Sequence, residues 1–285
     1  MLGLAAPTES GPESTDFKSA VAIAKESDVV LFYGGINADR FEGEQRDRST
    51  IELPASQTEL LKALHATGKP VVFVNCSGSA VAMPWEADTL PAIVQAWYPG
   101  EAGGTAVADV LFGIYNPAGR LPVTFYRSTA DLPGFADYSM KNRTYRFFAG
   151  KPLFAFGHGL SYTKFGYANA KVAAPQVAND GTIKVSVEIT NSGVRDGDEV
   201  VQVYAKQIGL ANTDIAQQSL VGFQRVNIAK GGKKIVEIAI PASALRHWDT
   251  TKKDYVVDAA SYELRVGAAS DDIRSTATVK LAVKG

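Results

Sequence analysis

The sequence predicts an α/β domain built on a mostly parallel sheet with flanking helices, an α/β sandwich, followed by an all-β sandwich. Three observations carry that prediction. Apolar runs alternate with helical segments through the first half. A two-residue alternation of apolar and polar side chains dominates the second. Between them, residues 115–165 are rich in Pro, Gly and aromatics, as expected of a packed, irregular connection. The expected division is a flexible lead-in over 1–15, an α/β domain over 16–168 and a β-sandwich over 169–285.

Phe17 to Lys25 places Phe17, Val21 and Ile23 among alanines, a helix leading into a strand over Val29–Tyr33 that stops at Gly34-Gly35. Ser56-Gln57-Thr58-Glu59 has the spacing of a capping box ahead of a helix striped by Leu60, Leu61 and Leu64 and stopped at Gly68. Pro70 to Asn75 is a continuous apolar run, the signature of a strand buried on both faces. Ile93 to Trp97 reads as a third strand, followed by Gly100 to Gly104 and a helix through Val107, Val110 and Leu111 to Gly113. Beyond the connection, Ile183, Val185, Val187 and Ile189 alternate with polar residues. Segments 200–204, 220–226, 234–240 and 262–266 repeat the pattern between turn signals such as Asn191-Ser192-Gly193 and Lys230-Gly231-Gly232. An antiparallel sandwich of roughly seven strands follows.

At 285 residues the chain can form one large domain or two ordinary ones. Hydrophobic residues at 46% and charged residues at 21% give a globular balance, and a formal net charge of -1 offers no footprint for nucleic acid or a membrane surface. Cys76 is the only cysteine, so no disulfide forms within the chain. No apolar stretch reaches the length of a membrane span, and the first seven residues lack the basic region and apolar core of a signal peptide.

The segment after the first strand holds the densest chemistry. Three arginines (Arg40, Arg46, Arg48) meet four acids (Asp39, Glu42, Glu44, Asp47), with Gly43 allowing a tight turn between Glu42 and Glu44. In a parallel sheet, ligands bind in the crevice beyond the carboxyl ends of the strands. Carboxylates beside guanidinium groups there suit proton transfer and recognition of hydroxyls. Glu44 is the candidate general acid/base, although spacing alone favours a solvated carboxylate paired with Arg46 or Arg48. Gly100 to Gly104 lacks the residues of a P-loop and the spacing of a dinucleotide fingerprint, so it reads as close helix packing. Ser77-Gly78-Ser79 misses the nucleophile-elbow pattern and reads as a strand-end turn. His65, His158 and His247 are scattered without metal spacing, so neither metal nor cofactor is expected. Trp85, Trp97 and Tyr98 fit either stacking on a sugar ring or packing, with packing the default.

Together these segments resemble the C-terminal half of glycoside hydrolase family 3, the β-glucosidase and β-xylosidase family. The resemblance rests on residues 69–85 (KPVVFVNCSGSAVAMPW), 96–125 (AWYPGEAGGTAVADVLFGIYNPAGRLPVTF) and 138–165 (YSMKNRTYRFFAGKPLFAFGHGLSYTKF). Residues 196–205 (DGDEVVQVYA) and 220–226 (LVGFQRV) are similar to the family's fibronectin type III-like domain. The resemblance covers nearly the whole chain from about Asp16, with long motifs in the same order.

The resemblance implies an active site between an N-terminal (β/α)8 barrel, which supplies an aspartate nucleophile, and a loop of the α/β sandwich, which supplies the glutamate acid/base. The family's Gly-Glu pair a few residues before Asp-Arg falls on Gly43-Glu44 ahead of Asp47-Arg48, so the acid/base role is implied for Glu44. Glu42 and Arg48 are implied to bind substrate, Glu42 through sugar hydroxyls or by ordering the loop. The chain carries no barrel and no nucleophile motif, and is implied to begin inside the sandwich with its first βα unit absent. One carboxylate alone cannot run the retaining reaction, which needs a partner roughly 5 Å away. An ionised nucleophile nearby would raise the pKa of Glu44 for its acid role and release it for the base role once the sugar is attached. Without the barrel, in cis or in trans, the chain is expected to be chemically mute. The MKNRTYRFF segment (140–148) leans towards xylosidase-like members. The expected substrate is a β-linked glucoside or xyloside, and family members are often periplasmic or secreted. The alternative is a non-catalytic carbohydrate-binding or interaction module of the same fold; a fragment exposing an apolar docking surface would self-associate.

Overall fold

Val71, Phe73 and Val74 reach zero exposure because the apolar run that holds them becomes the middle strand of a parallel sheet. The computed structural model describes residues 17–37, 41–42, 48–209 and 215–283. The chain divides into two units: 1–108 with 125–132 and 150–153, and 109–124 with 133–149 and 154–285.

In the first unit, α1 (Lys18–Lys25) leads to β1 (Val30–Gly35), α2 (Ala55–His65), β2 (Val71–Cys76), α3 (Pro84–Thr89), β3 (Ala92–Gln95) and α4 (Gly103–Leu111), whose last residues belong to the second unit. The sheet order is β1-β2-β3, all parallel, with Gly35 level with Cys76 and Asn75 level with Gln95. The core joins Val71 and Phe73 to Leu60, Leu61 and Leu64 of α2, with Phe32 and Ile93 packed against it. Outward-facing Leu31 and Tyr33 of β1 stay about half exposed.

One sequence expectation is corrected here. Ser56 does not cap α2: the helix begins at Ala55, its N-cap is Pro54, and no side chain caps it. The Ser56 hydroxyl is buried without a hydrogen-bond partner, and Glu59 is exposed. With the helix starting at Ala55, Ser56 lies inside the first turn rather than at the N-cap, the position from which a capping-box hydroxyl acts. The first and third strands also lie one or two residues from their predicted bounds.

Among the described residues, the second unit holds the short helix α5 (Thr144–Phe147) and ten strands: β4 (Phe165–Val172), β5 (Gln176–Ala178), β6 (Thr182–Asn191), β7 (Gly197–Gln207), β8 (Ser219–Ile228), β9 (Lys233–Pro241), β10 (His247–Asp249), β11 (Asp254–Val256), β12 (Ser261–Ala269) and β13 (Asp272–Ala282). They form a five-stranded sheet β5-β13-β12-β7-β8, a three-stranded sheet β4-β6-β9 and a hairpin β10-β11. The alternation read in the sequence becomes the inner faces of a sandwich. Ile183, Val185, Val187 and Ile189 of β6 meet Val201 and Val203 of β7, Leu264 and Val266 of β12, and Val279 and Leu281 of β13. All neighbours pair antiparallel except β5, which runs parallel to β13. No helix among the described residues is long and apolar enough to cross a membrane.

Candidate active site

The carboxyl ends of β1 and β2 lie side by side, and the chain leaving each strand builds the candidate site. Gly35 ends β1 at φ +116°, where a Cβ would stand 2.1 Å from the Cys76 carbonyl oxygen. Only glycine fits this turn. Buried Gln57 of α2 holds it by accepting from the Gly35 N–H (2.8 Å) and donating to the Gly35 carbonyl (2.7 Å). Ile36 and Phe41 are buried, and the N–H groups of Phe41 and Glu42 both donate to the Asn37 carbonyl, which turns the chain back and delivers Glu42. At the end of β2, Asn75 donates to Gln95 (2.6 Å) and Ser77 (3.2 Å), fixing the start of the turn through Ser77-Gly78-Ser79.

Glu42 sits on that turn. Its Oε1 accepts from the Gly78 N–H (2.9 Å) and the Tyr98 hydroxyl (2.5 Å), and its Oε2 accepts from the Ser79 hydroxyl. Gly78 is needed for the approach: a Cβ there would lie 2.6 Å from the Tyr98 ring and 2.8 Å from the Glu42 carboxylate. Arg48, half-buried, donates from Nη2 to the Ser79 hydroxyl (2.9 Å) and the Ala80 carbonyl (3.0 Å). Downstream, Ala82 donates to the Ile51 carbonyl and Leu53 to the Ala82 carbonyl, so the chain after Arg48 runs beside 79–82.

These contacts fix the charge state of Glu42. Burial works to raise its pKa, but bonds from Ser79, Tyr98 and Gly78 and the charge of Arg48 outweigh it and hold the carboxyl below its ordinary range. Burial and the bond to Glu42 push the Tyr98 phenol up to about 12. Burial lowers the Arg48 pKa, opposed by the negative charge of Glu42. Glu42 is therefore an ionised acceptor across neutral pH and a poor proton donor.

Of the residues singled out in the sequence, Glu42 and Arg48 are brought together through Ser79. Glu44 lies outside the described residues, as do Asp39, Arg40, Gly43, Arg46 and Asp47. Three partners carried no sequence signal of their role. Gly78 and Ser79 read as a strand-end turn, and Tyr98 as packing or a stacking platform; they lie 36, 37 and 56 residues from Glu42. Trp85 meets His65 edge-on at 6.0 Å and Trp97 meets Phe125 edge-on at 6.2 Å. In the second unit His158 stacks on Phe154, and His247 lies 3.8 Å from Asp258. Among the described residues no group of three or more His, Cys, Asp or Glu is placed to hold a metal ion.

A parallel α/β unit with a charged turn at its carboxyl edge, followed by a sandwich without long helices, defines the class. Comparison with known proteins makes it specific. The family description "Glycosyl hydrolase family 3 C-terminal domain" matches residues 4–162, and "Fibronectin type III-like domain" matches residues 199–270. The chain belongs to glycoside hydrolase family 3, of whose β-glucosidases and β-xylosidases it corresponds to the C-terminal part. It is 45% identical over 268 residues to a xylan 1,4-β-xylosidase of Xylanibacter ruminicola, covering 90% of this chain and 30% of that protein. It is 36% identical over 279 residues to a β-glucosidase of Bacteroides ovatus, covering 91% of this chain and 37% of the relative. A β-glucosidase structure from Bifidobacterium adolescentis superposes with a TM-score of 0.85 at 31% identity, covering 96% of this chain and 42% of that one. The chain thus spans about a third of the length of the curated relatives it matches.

Proposed function

We propose that this chain is the C-terminal portion of a retaining, exo-acting β-glycosidase and that Glu44 is its general acid/base. The nucleophile, an aspartate, comes from an N-terminal (β/α)8 barrel outside these 285 residues, in cis or in trans. The observation that carries this reading is the family match across residues 4–162, which includes the Gly43-Glu44 pair ahead of Asp47-Arg48.

The charge state of Glu42 supports the choice of Glu44. A general acid must hold a proton near neutral pH, and Glu42, engaged by three protein donors and Arg48, does not. Glu44 protonates the departing oxygen while the nucleophile attacks the anomeric carbon. It then removes the proton of the water that releases the sugar. Glu42 and Arg48 meet sugar hydroxyls only with the hydrogen-bonding capacity not spent on residues 78–80, and Glu42 chiefly orders the turn. Identity to the xylosidase exceeds that to the β-glucosidase, so an aryl β-xyloside is the first substrate to test.

The test is hydrolysis of aryl β-xylosides and β-glucosides by the chain joined to or mixed with its barrel. Turnover that survives unchanged in Glu44→Gln would refute the assignment. A second reading, a non-catalytic carbohydrate-binding module, has one observation in its favour. Trp248 and Tyr255 face each other across the β10-β11 hairpin at 5.3 Å and are 51% and 61% exposed. Calorimetric titration with xylo- and gluco-oligosaccharides tests it, and absence of heat with either series removes it.

A further inference from the structure

We propose that a cavity in the second unit binds a neutral polyhydroxylated ring, a monosaccharide or the terminal sugar of a glycoside. The cavity, about 370 Å³, opens between the segment 158–165 and the residues where β12 ends and β13 begins. That volume falls in the lower part of the range of small-molecule sites, about 300–1,000 Å³. Every residue lining it lies in the second unit, and none belongs to the turn after β2.

The floor is an ion pair between Arg120 and Glu199 of β7, whose side chains are 9% and 4% exposed. The Leu121 N–H donates to the His158 carbonyl, which holds the Arg120 stretch against the cavity wall. Gly159 lets the two segments pass: a Cβ there would stand 2.1 Å from the Gly119 carbonyl oxygen. Neither member of the pair has spent its hydrogen-bonding capacity. The buried Arg120 Nε–H has no acceptor among the described residues. Glu199 takes both of its bonds, from Arg120 (2.7 Å) and the Val200 N–H (2.8 Å), on Oε1. Oε2 is left to the cavity, with the Tyr167 phenol near enough that the carboxylate's charge adds to burial in raising its pKa. Buried polar groups are nearly always paired, so an orphaned donor beside an acceptor with spare lone pairs marks this floor as built for a ligand.

The lining also selects the ligand class. Arg274 pairs with Asp272 and donates to the Phe165 carbonyl (2.7 Å), so each of the two lining acids is neutralised by an arginine. Lys164, exposed and without an ion-pair partner among the described residues, gives an anion a single weak contact, and a cation meets no free negative charge. Burial holds His158 below its ordinary range against the charge of Asp271, so its neutral imidazole carries one donor and one acceptor. Donors and acceptors thus stand side by side, a pattern that hydroxyl groups satisfy because each donates and accepts at once. Leu160, Phe165, Ala268 and Ala269 supply apolar wall for the C–H face of a ring. None of this depends on Glu44; only the choice of xylose and glucose as probes follows from the reading above.

The test titrates the 285-residue chain with methyl β-xyloside, methyl β-glucoside and, as the anion probe, inorganic phosphate. The ring resonances of His65, His158 and His247 are followed, with those of His158 assigned by His158→Gln. At least one glycoside should shift the His158 signals saturably, with a dissociation constant on the order of 1–10 mM for so small a ligand. The other two histidines and the phosphate titration should show no response. Lys164→Met should weaken binding about fivefold. Glu199→Gln, which puts an amide donor in place of Oε2, should abolish it; should that variant not fold, Lys164→Met at its exposed position decides the matter alone. No saturable shift with either glycoside, a response to phosphate instead, or wild-type binding by Lys164→Met overturns the inference. So does a response that Glu42→Gln removes, because the sugar is then held at the turn after β2. Hydrolysis by Glu44→Gln is read in a different assay, so this inference and the proposed function fail independently.

Discussion

Glu42→Gln isolates the network at the turn after β2. The glutamine keeps the shape of the side chain but presents one carbonyl oxygen and one amide to three donors: the Gly78 N–H, the Ser79 hydroxyl and the Tyr98 hydroxyl. At least one of them meets an N–H group, and the others change from charge-assisted to neutral bonds. Bonds to a charged group contribute about 1.5–3 kcal/mol and neutral ones about 0.5–1.5 kcal/mol. Partial access of solvent to the carboxylate places the loss at the low end, roughly 2 kcal/mol. For a unit of this size that lowers the unfolding midpoint by roughly 6–8 °C. The pH dependence supplies the second half of the test. The folded-state pKa of Glu42 is lowered, so its contribution is complete above the unfolded value, about 4.3, and is lost as pH falls through the folded value. Glutamine does not titrate. Thermal unfolding followed by fluorescence from Trp85 and Trp97 should show a gap between wild type and variant at pH 7 that closes as the pH is taken well below 4. No gap at pH 7, or one that persists unchanged in acid, would refute the reasoning.

Two further substitutions probe each unit separately. Gly35→Ala places a methyl group 2.1 Å from the Cys76 carbonyl at a positive φ, so the first unit should lose more than about 3 kcal/mol or fail to fold; a midpoint within 2 °C of wild type contradicts this. In the second unit, Arg120 and Glu199 form an ion pair at 2.7 Å with side chains only 9% and 4% exposed. Glu199→Gln should cost about 3–5 kcal/mol by leaving the guanidinium unpaired, whereas Arg120→Met with Glu199→Leu should recover most of that loss. Equal stability of the single and double variants in urea denaturation would show that the pair is not the cause.

The parts of the fold legible in the sequence are those where a residue's periodicity decides its burial. The continuous run Val71–Asn75 had to be a central strand, and the alternation in 183–189 had to face a second sheet. The short strands β5, β10 and β11 carry too few residues for a period to emerge, and β5 owes its place to pairing with β13 rather than to its own composition. The capping-box spacing at 56–59 misled because the helix begins at Ala55, which leaves Ser56 inside its first turn rather than at its N-cap. At the candidate site, the sequence marked Glu42 and Arg48 by their charge and by their place after a strand. It read Gly78 and Ser79 only as a strand-end turn and Tyr98 as packing or a stacking platform, because their contacts with Glu42 arise from the parallel register that sets the ends of β1 and β2 level, and no local spacing encodes that register.

The central claim is that Glu44 gives and takes the proton. Its most direct measurement is azide rescue of Glu44→Ala in the barrel-containing enzyme on a dinitrophenyl glycoside. Loss of the base should stall the glycosyl-enzyme, and azide, which needs no deprotonation, should restore turnover and yield the β-glycosyl azide. Turnover at the wild-type rate without azide, or a stalled enzyme that azide does not release, would contradict the account.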